Sequence, residues 1–205
     1  KQQKGVVAVV KIPSGVAVVA DSYWRARKAA LELPVKFQGG RTSGQSDTSI
    51  RKSFSAALDD VGKAFLSGTR VLDVEYEVPY LAHATMEPMN CTADVQAERC
   101  TVWAPTQSPG RARGKVADLT GLDEEKVTIN CTYLGGGFGR RMEQDFIVQS
   151  VLVSKAVGKP VKLIWTREED TQNDFYRPAY LSRLQVQLGS DGTLEQWQHQ
   201  LAGPS

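Results

Sequence analysis

Glycine fills four of the five positions in Gly135-Gly136-Gly137-Phe138-Gly139, and Arg140-Arg141 follow at once. Glycine serves where the backbone must take φ > 0 or where another molecule approaches the main chain closely. Free N–H groups at a helix start add an attraction for anions. The chemistry open to this stretch is therefore a backbone cradle for an oxyanion, a phosphate or a metal-oxo group. A tight turn where strand and helix pack closely would use the same glycines, and spacing alone leaves both readings open. The nucleotide templates fail. A G-x-G-x-x-G loop starting at Gly135 would need glycine where Arg140 stands, and a phosphate loop would need G-K-[ST] where the chain has Arg140-Arg141. Phe138 is unexpected in a plain turn and could form a wall against a bound group.

Gln107 and the Phe138–Gly139 backbone are donors without charge, which suits a neutral or oxo ligand. Arg140-Arg141 could reach a phosphate or a substrate; the preferred reading is a salt bridge with Glu143 or Asp145. His83 and Glu87 stand at i, i+4, the spacing of a metal pair on a helix. With two histidines in the chain, a structural pair satisfied by hydrogen bonds is preferred. Asp73, Glu75 and Glu77 alternate with Leu72, Val74, Tyr76 and Val78, so they are expected to point at water from one strand face. The three cysteines, Cys91, Cys100 and Cys131, are odd in number and lack C-x-x-C spacing. Buried free thiols are expected rather than an iron–sulfur or zinc site. A hydrolase built on Ser108 or Cys131 would lack a G-x-S-x-G elbow and a nearby histidine.

These residues need elements to position them. Lys126 to Cys131 is β-branched and alternating, hence a strand. Met142 to Val157 carries Phe146, Ile147, Ser150-Val151, Ser154 and Val157 at helical spacing. Lys159-Pro160 stops that helix, and Val161 to Trp165 is a strand. The glycines thus lie in the first turn of a strand–loop–helix–strand unit, whose crossover is expected to be right-handed in a parallel or mixed sheet. Upstream, Gly5–Ile12 and Val16–Ala20 form a hairpin around Pro13-Ser14-Gly15, and Asp21-Ser22 caps a helix over Tyr23–Leu33. Val35–Phe37 is a short strand. Gly39 to Ser49 is linker-like, and Ser49 to Phe65 is a helix with Phe54, Leu58, Val61 and Phe65 on its core face. Val71–Pro79 is a strand. Cys91–Gln96 and Arg99–Ala104 form a hairpin that delivers Gln107 to a strand end, followed by a helix to Leu119. Tyr180–Leu188 and Thr193–Leu201 pair through Ser190-Asp191-Gly192.

The chain has 205 residues, 41% of them hydrophobic, with 25 basic and 23 acidic side chains. That is an ordinary globular composition, and the charge balance gives no reason to expect nucleic acid as a partner. No apolar run approaches the ~20 residues of a membrane-spanning helix.

Three segments in register carry a family resemblance. Gly135-Gly136-Gly137-Phe138-Gly139 resembles the molybdenum-site loop of the xanthine dehydrogenase and aldehyde oxidase superfamily. His83-Ala84-Thr85-Met86-Glu87-Pro88 resembles its H-x-x-x-E segment, and Trp103-Ala104-Pro105-Thr106-Gln107-Ser108-Pro109 its "T-Q" segment. With Asp170 and Asp174-Phe175-Tyr176-Arg177-Pro178, the variants are most similar to the large (beta) subunits of the isoquinoline 1-oxidoreductase group and related membrane-linked aldehyde dehydrogenases. The implied fold is α+β (mixed α/β), with mixed sheet layers and a right-handed βαβ unit carrying the loop. Residues 1–38 would end a small α/β domain, 39–70 would be linker and helix, and 71–205 the N-terminal part of a molybdenum-cofactor-binding domain.

The resemblance also implies a function. The cofactor would be molybdopterin cytosine dinucleotide with molybdenum in the full-length protein. Its binding residues would be Gln107, Gly135, Gly136, Gly137, Phe138, Gly139 and Arg140. The reaction would be hydroxylation of a heteroaromatic carbon beside nitrogen, or of an aldehyde, with water as the oxygen source. Electrons would leave through a small [2Fe-2S] subunit, with a cytochrome c as a further candidate partner. The glutamate base is expected outside this stretch, so no catalytic residue is assigned within it. The chain taken alone is expected to be inactive, to bind no cofactor and to expose an apolar face where the remaining part of its own subunit docks. One departure concerns specificity. Many xanthine dehydrogenase relatives carry glutamate four positions after the loop phenylalanine, where this chain has Met142 and then Glu143, so no substrate-orienting carboxylate is carried over. The competing class is a non-catalytic binding or docking module that uses the glycine loop for packing only.

Overall fold

The computed structural model describes residues 3–40, 42–60 and 71–204. They form two compact units, Lys1–Lys36 with His83–Phe175, and Phe37–Ala82 with Tyr176–Ser205.

The first unit opens with the expected hairpin, β1 (Val6–Ile12) against β2 (Gly15–Ala20), and then α1 (Tyr23–Leu31). No regular strand forms over 35–37. The main sheet holds β4 (Asn90–Val95), β5 (Cys100–Ala104), β6 (Val127–Cys131) and β7 (Val161–Ile164) in the order β6-β5-β4-β7. β5 and β6 are parallel, while β4 runs antiparallel to both β5 and β7. The sheet is therefore mixed, as expected. The unit that carries the glycines, β6–loop–helix–β7, steps across two intervening strands rather than joining neighbours.

Two helices cover this sheet. α3 (Pro109–Thr120) begins with proline in its first turn, where a missing N–H costs nothing, and ends on Gly121 at φ +77. α4 (Asp145–Val157) follows the loop. Ala112 and Val116 of α3 join Phe146, Ile147 and Val151 of α4 over Met89, Cys91, Ala93, Cys100, Val102 and Trp165 in one core. The two serines on the inner face of α4 satisfy strand backbone there. Ser150 Oγ donates to the Cys91 carbonyl, and Ser154 Oγ accepts from Val95 N–H while donating to Lys159. Cys91 and Cys100 are buried, and burial pushes their thiols up to about 12 and about 11. Cys131 departs from the expectation of a buried thiol: it is the last residue of β6 and lies exposed.

In the second unit β3 (Val71–Val78), β8 (Tyr180–Leu188) and β9 (Leu194–Ala202) form an antiparallel sheet in the order β3-β8-β9. α2 (Asp47–Asp60) packs on it through Leu58 and Phe54. The helix starts earlier than expected because Ser46 and Ser49 cap one another's backbone N–H groups reciprocally. The rest of the expected helix, with Val61 and Phe65, lies outside the described residues.

On β3 the three acids lie exposed, as expected, yet on the side where α2 packs. Glu75 pairs with Arg51 and Arg183, Glu77 with Arg51, and Asp73 accepts from Gln185. Arg51 belongs to α2, and Arg183 also reaches Asp59 of that helix. The acidic face is thus the one on the side of α2. The apolar face, with Leu72, Tyr76, Val78, Trp197 and Leu201, is exposed. Period-two alternation separates two faces without saying which one a helix will take.

Candidate functional site

β5 and β6 run parallel, so their carboxyl ends lie side by side, the usual place for a site in an open sheet. Thr106-Gln107 leaves β5 there and the glycine loop leaves β6 there. Ladder pairing ends at Ala104 opposite Cys131, and Thr132 N–H still donates to the Ala104 carbonyl at 3.2 Å.

Gln107 is fixed from both ends. Its backbone N–H donates to the Arg141 carbonyl at 3.0 Å. Its Oε1 accepts from Gly139 N–H and Arg141 N–H, each at 3.2 Å. Two backbone donors converging on one side-chain atom require that atom to be the oxygen. The amide therefore has one orientation, and Nε2 is its remaining donor, with no bond among the described residues. Gly139 N–H, expected as a donor to a ligand, is spent on Gln107 instead.

The glycines have separate reasons. Gly136 and Gly139 take φ +100 and +102, where a side chain is strained. Gly135 and Gly137 are needed for space. A β-carbon at Gly135 would stand 2.4 Å from Cβ of Glu87, and one at Gly137 would stand 2.8 Å from the carboxamide carbon of Gln107. Phe138 itself holds φ +55, rare for a residue with a β-carbon, and its ring is 63% exposed. Tyr133, Leu134, Met142 and Met86 are exposed in the segments beside it.

The loop does not open α4 directly, as the expected helix from Met142 would have it. Arg140–Met142 is a 3-10 turn, Glu143 is extended, and α4 starts at Asp145. That turn carries both arginine side chains into the fold, where they are 1% and 0% exposed. Arg141 Nε donates to the Gly136 carbonyl at 2.7 Å, and its Nη2 to the Glu87 carbonyl at 2.6 Å and to Glu87 Oε2 at 3.0 Å. Glu87 in turn accepts from Gly135 N–H at 2.9 Å and from Asn90. The loop is thus tied to the His83–Pro88 segment by a charge-assisted clamp.

Arg140 forms the preferred bridge to Asp145, a fork of two bonds at 2.9 and 2.7 Å. Its Nε lies 2.9 Å from Asp174 Oδ1, a charge contact outside hydrogen-bond geometry. The rings of Trp165 and Phe175 lie against its guanidinium, 5.5 and 5.3 Å from their centroids. Burial pulls the Arg140 pKa down, but Asp145, Asp174 and Asp170 outweigh it and the net direction is up. For Arg141 burial prevails over Glu87 and Asp170, and the direction is down. Burial likewise raises Asp170, against the pull of Arg167.

His83 and Glu87 do not pair with each other. Glu87 serves Arg141 and the loop. His83 Nδ1 lies 3.0 Å from Asp174, which also accepts its backbone N–H. Sequence spacing missed Asp174 as the partner because it lies 91 residues further along the chain; the one available signal was an aspartate beside two aromatics, Asp174-Phe175-Tyr176.

The donor set suits a bulky group that presents oxygen atoms. Gly137 keeps open the space a β-carbon would fill against Gln107, the Gln107 amide beside it keeps an uncharged donor, and both loop arginines are already paired with carboxylates. The profile of the molybdopterin cofactor-binding domain family matches residues 45–203. A nicotinate dehydrogenase subunit of Pseudomonas putida is 33% identical over 98% of this chain. The beta subunit of isoquinoline 1-oxidoreductase from Brevundimonas diminuta is 27% identical over all of it. The chain spans 18% and 29% of those two proteins. Quinoline 2-oxidoreductase from Pseudomonas putida 86, a solved structure, shares the fold with a TM-score of 0.65 at 20% identity, over 91% of this chain and 27% of that one. Sequence and fold leave one assignment: the chain belongs to the molybdopterin cofactor-binding domain family.

Proposed function

We propose that this chain is the part of a molybdenum hydroxylase subunit that grips the oxygen-bearing side of the cofactor, and that the whole protein oxidises an N-heteroaromatic ring or an aldehyde with water as oxygen donor. The observation that carries the reading is the pinned Gln107 carboxamide, which borders the space Gly137 keeps clear and has Nε2 as its remaining donor. When bound, the molybdenum cofactor, in its cytosine dinucleotide form, supplies the redox and oxygen-transfer chemistry. This chain's residues orient it: Gln107 Nε2 donates to one of its oxygens, the glycines allow close approach, and Phe138 walls the site. Arg140 serves the cofactor indirectly, by bracing the turn below the loop. Electrons pass to a [2Fe-2S] partner subunit. The exposed Tyr133, Leu134, Phe138 and Met142 favour an apolar substrate, in keeping with the isoquinoline, quinoline and aldehyde names among the relatives.

Gln107→Ala in the whole subunit removes a donor without charging the site. Turnover is expected to fall about 10- to 100-fold, the range of a lost transition-state hydrogen bond, with KM little changed. A normal kcat with raised KM would refute the role. Glu87, the carboxylate tied to the loop, is engaged by Arg141, Asn90 and Gly135, so the role of proton acceptor is not assigned to it. The 205-residue chain alone is accordingly expected to give no dye-linked oxidation of isoquinoline or an aldehyde and no molybdenum on elemental analysis. Near-stoichiometric metal in it would show that this chain suffices for binding.

A further inference from the structure

We infer that His83 is a second ligand-facing residue of the loop, a hydrogen-bond acceptor that complements the Gln107 donor. The inference rests on the loop being the cofactor cradle.

His83 is held as a built group. Asp174, whose side chain is 1% exposed, takes its Nδ1 at 3.0 Å and its backbone N–H as well. Ala84, the next residue, holds φ +45, a conformation side-chain-bearing residues adopt rarely and only where the surroundings impose it. A carboxylate only accepts, so the proton of a neutral His83 ring sits on Nδ1 and Nε2 carries the lone pair. Arg140, itself forked to Asp145, holds Asp174 by the charge contact at Oδ1. The ring orientation is therefore set by a chain of four charged or polar groups: His83, Asp174, Arg140 and Asp145.

Nε2 is left over. It makes no hydrogen bond among the described residues, and 10% of the side chain remains exposed. It faces the loop, 3.8 Å from where a β-carbon of Gly139 would stand. Gly139 is also the residue whose N–H holds Gln107. The middle of the loop is thus flanked by one donor, Gln107 Nε2, and by His83 Nε2, the lone-pair nitrogen of a neutral ring. That pair recognises a ligand presenting an acceptor oxygen and a hydroxyl or ring N–H. A histidine that only braced Asp174 would need Nδ1 alone.

The test uses the whole subunit, cofactor-loaded and cofactor-stripped, without substitution. Diethyl pyrocarbonate acylates an unprotonated imidazole nitrogen, and the rate at His83 is read by mass spectrometry of its peptide. Hydroxyl-radical labelling of Phe138 is read on the same samples. Loading is expected to slow His83 acylation at least tenfold and to protect Phe138. Protection of Phe138 with an unchanged rate at His83 would overturn this inference and leave the loop reading intact. No protection at either residue would overturn both. A His83 that is inert in the stripped protein would also overturn the inference, because Nε2 would not be the available nitrogen.

Discussion

Arg140→Met is expected to lower the unfolding free energy of this chain by about 3–5 kcal/mol, the range for removing one partner of a buried ion pair. Methionine keeps the length and the apolar contact with Trp165 and Phe175 but not the charge. Among the described residues it leaves Asp174, 1% exposed, with His83 as its one partner, and it removes the two bonds from Arg140 to Asp145. Substituting an exposed arginine typically changes stability by about 0.5 kcal/mol or less, and the whole margin of a domain is about 5–15 kcal/mol. Urea denaturation of the purified chain reads the difference as a shift in midpoint. Adding Asp174→Asn should recover part of the loss, since the orphaned charge goes with it. A single-variant loss below about 1 kcal/mol, the level of an exposed pair, would show that the buried ladder under the loop is not a stabilising unit.

Gly137→Val is expected to empty the site while sparing the fold. Gly137 is not among the residues with positive φ, so the backbone there accepts a side chain; space is what it lacks. A β-carbon would stand 2.8 Å from both the carbon and Oε1 of the Gln107 amide. Gln107 cannot swing aside without losing the N–H groups of Gly139 and Arg141. Valine adds two methyls beyond the β-carbon to the space beside the Gln107 amide. Molybdenum in the purified whole subunit should drop at least about tenfold, the equivalent of ~1.4 kcal/mol in binding, with the protein still folded and unfolding cooperatively in urea. Full metal content in a folded variant would remove Gly137 from the cradle.

Local patterns in the sequence anticipated the elements well. The hairpins, the helix before Gly121, and the strand–loop–helix–strand unit around Gly135–Gly139 all follow from alternation, helical spacing and turn residues. Long-range partners were hidden. Adjacent arginines after a glycine loop look like surface or ligand-binding groups, and nothing near them announces that a 3-10 turn will carry both inward. Asp145 was within local reach and was anticipated for Arg140; Glu87 and Asp174, tens of residues away, were not. The same limit explains His83 and Glu87, whose i, i+4 spacing suggested a mutual pair although each is claimed by a distant segment. On β3 the apolar residues were expected to seek the core. The acids took the side of α2 instead, where they remain exposed and pair with Arg51 and Arg183. The orientation of Gln107 was equally out of reach, since it depends on two loop N–H groups that only the fold brings together.

The central claim is that the space beside Gln107 and the Gly137–Gly139 stretch holds the molybdenum end of the cofactor. Anomalous diffraction at the molybdenum edge, from crystals of the cofactor-loaded whole subunit, locates the metal without assumptions about the ligand. The expected result is a single strong peak on the Gln107 Nε2 side of the loop, with an oxygen bound to the metal within hydrogen-bond reach of that nitrogen. A metal peak elsewhere in the subunit, with Gln107 and the glycine loop facing only protein or solvent, would contradict the account.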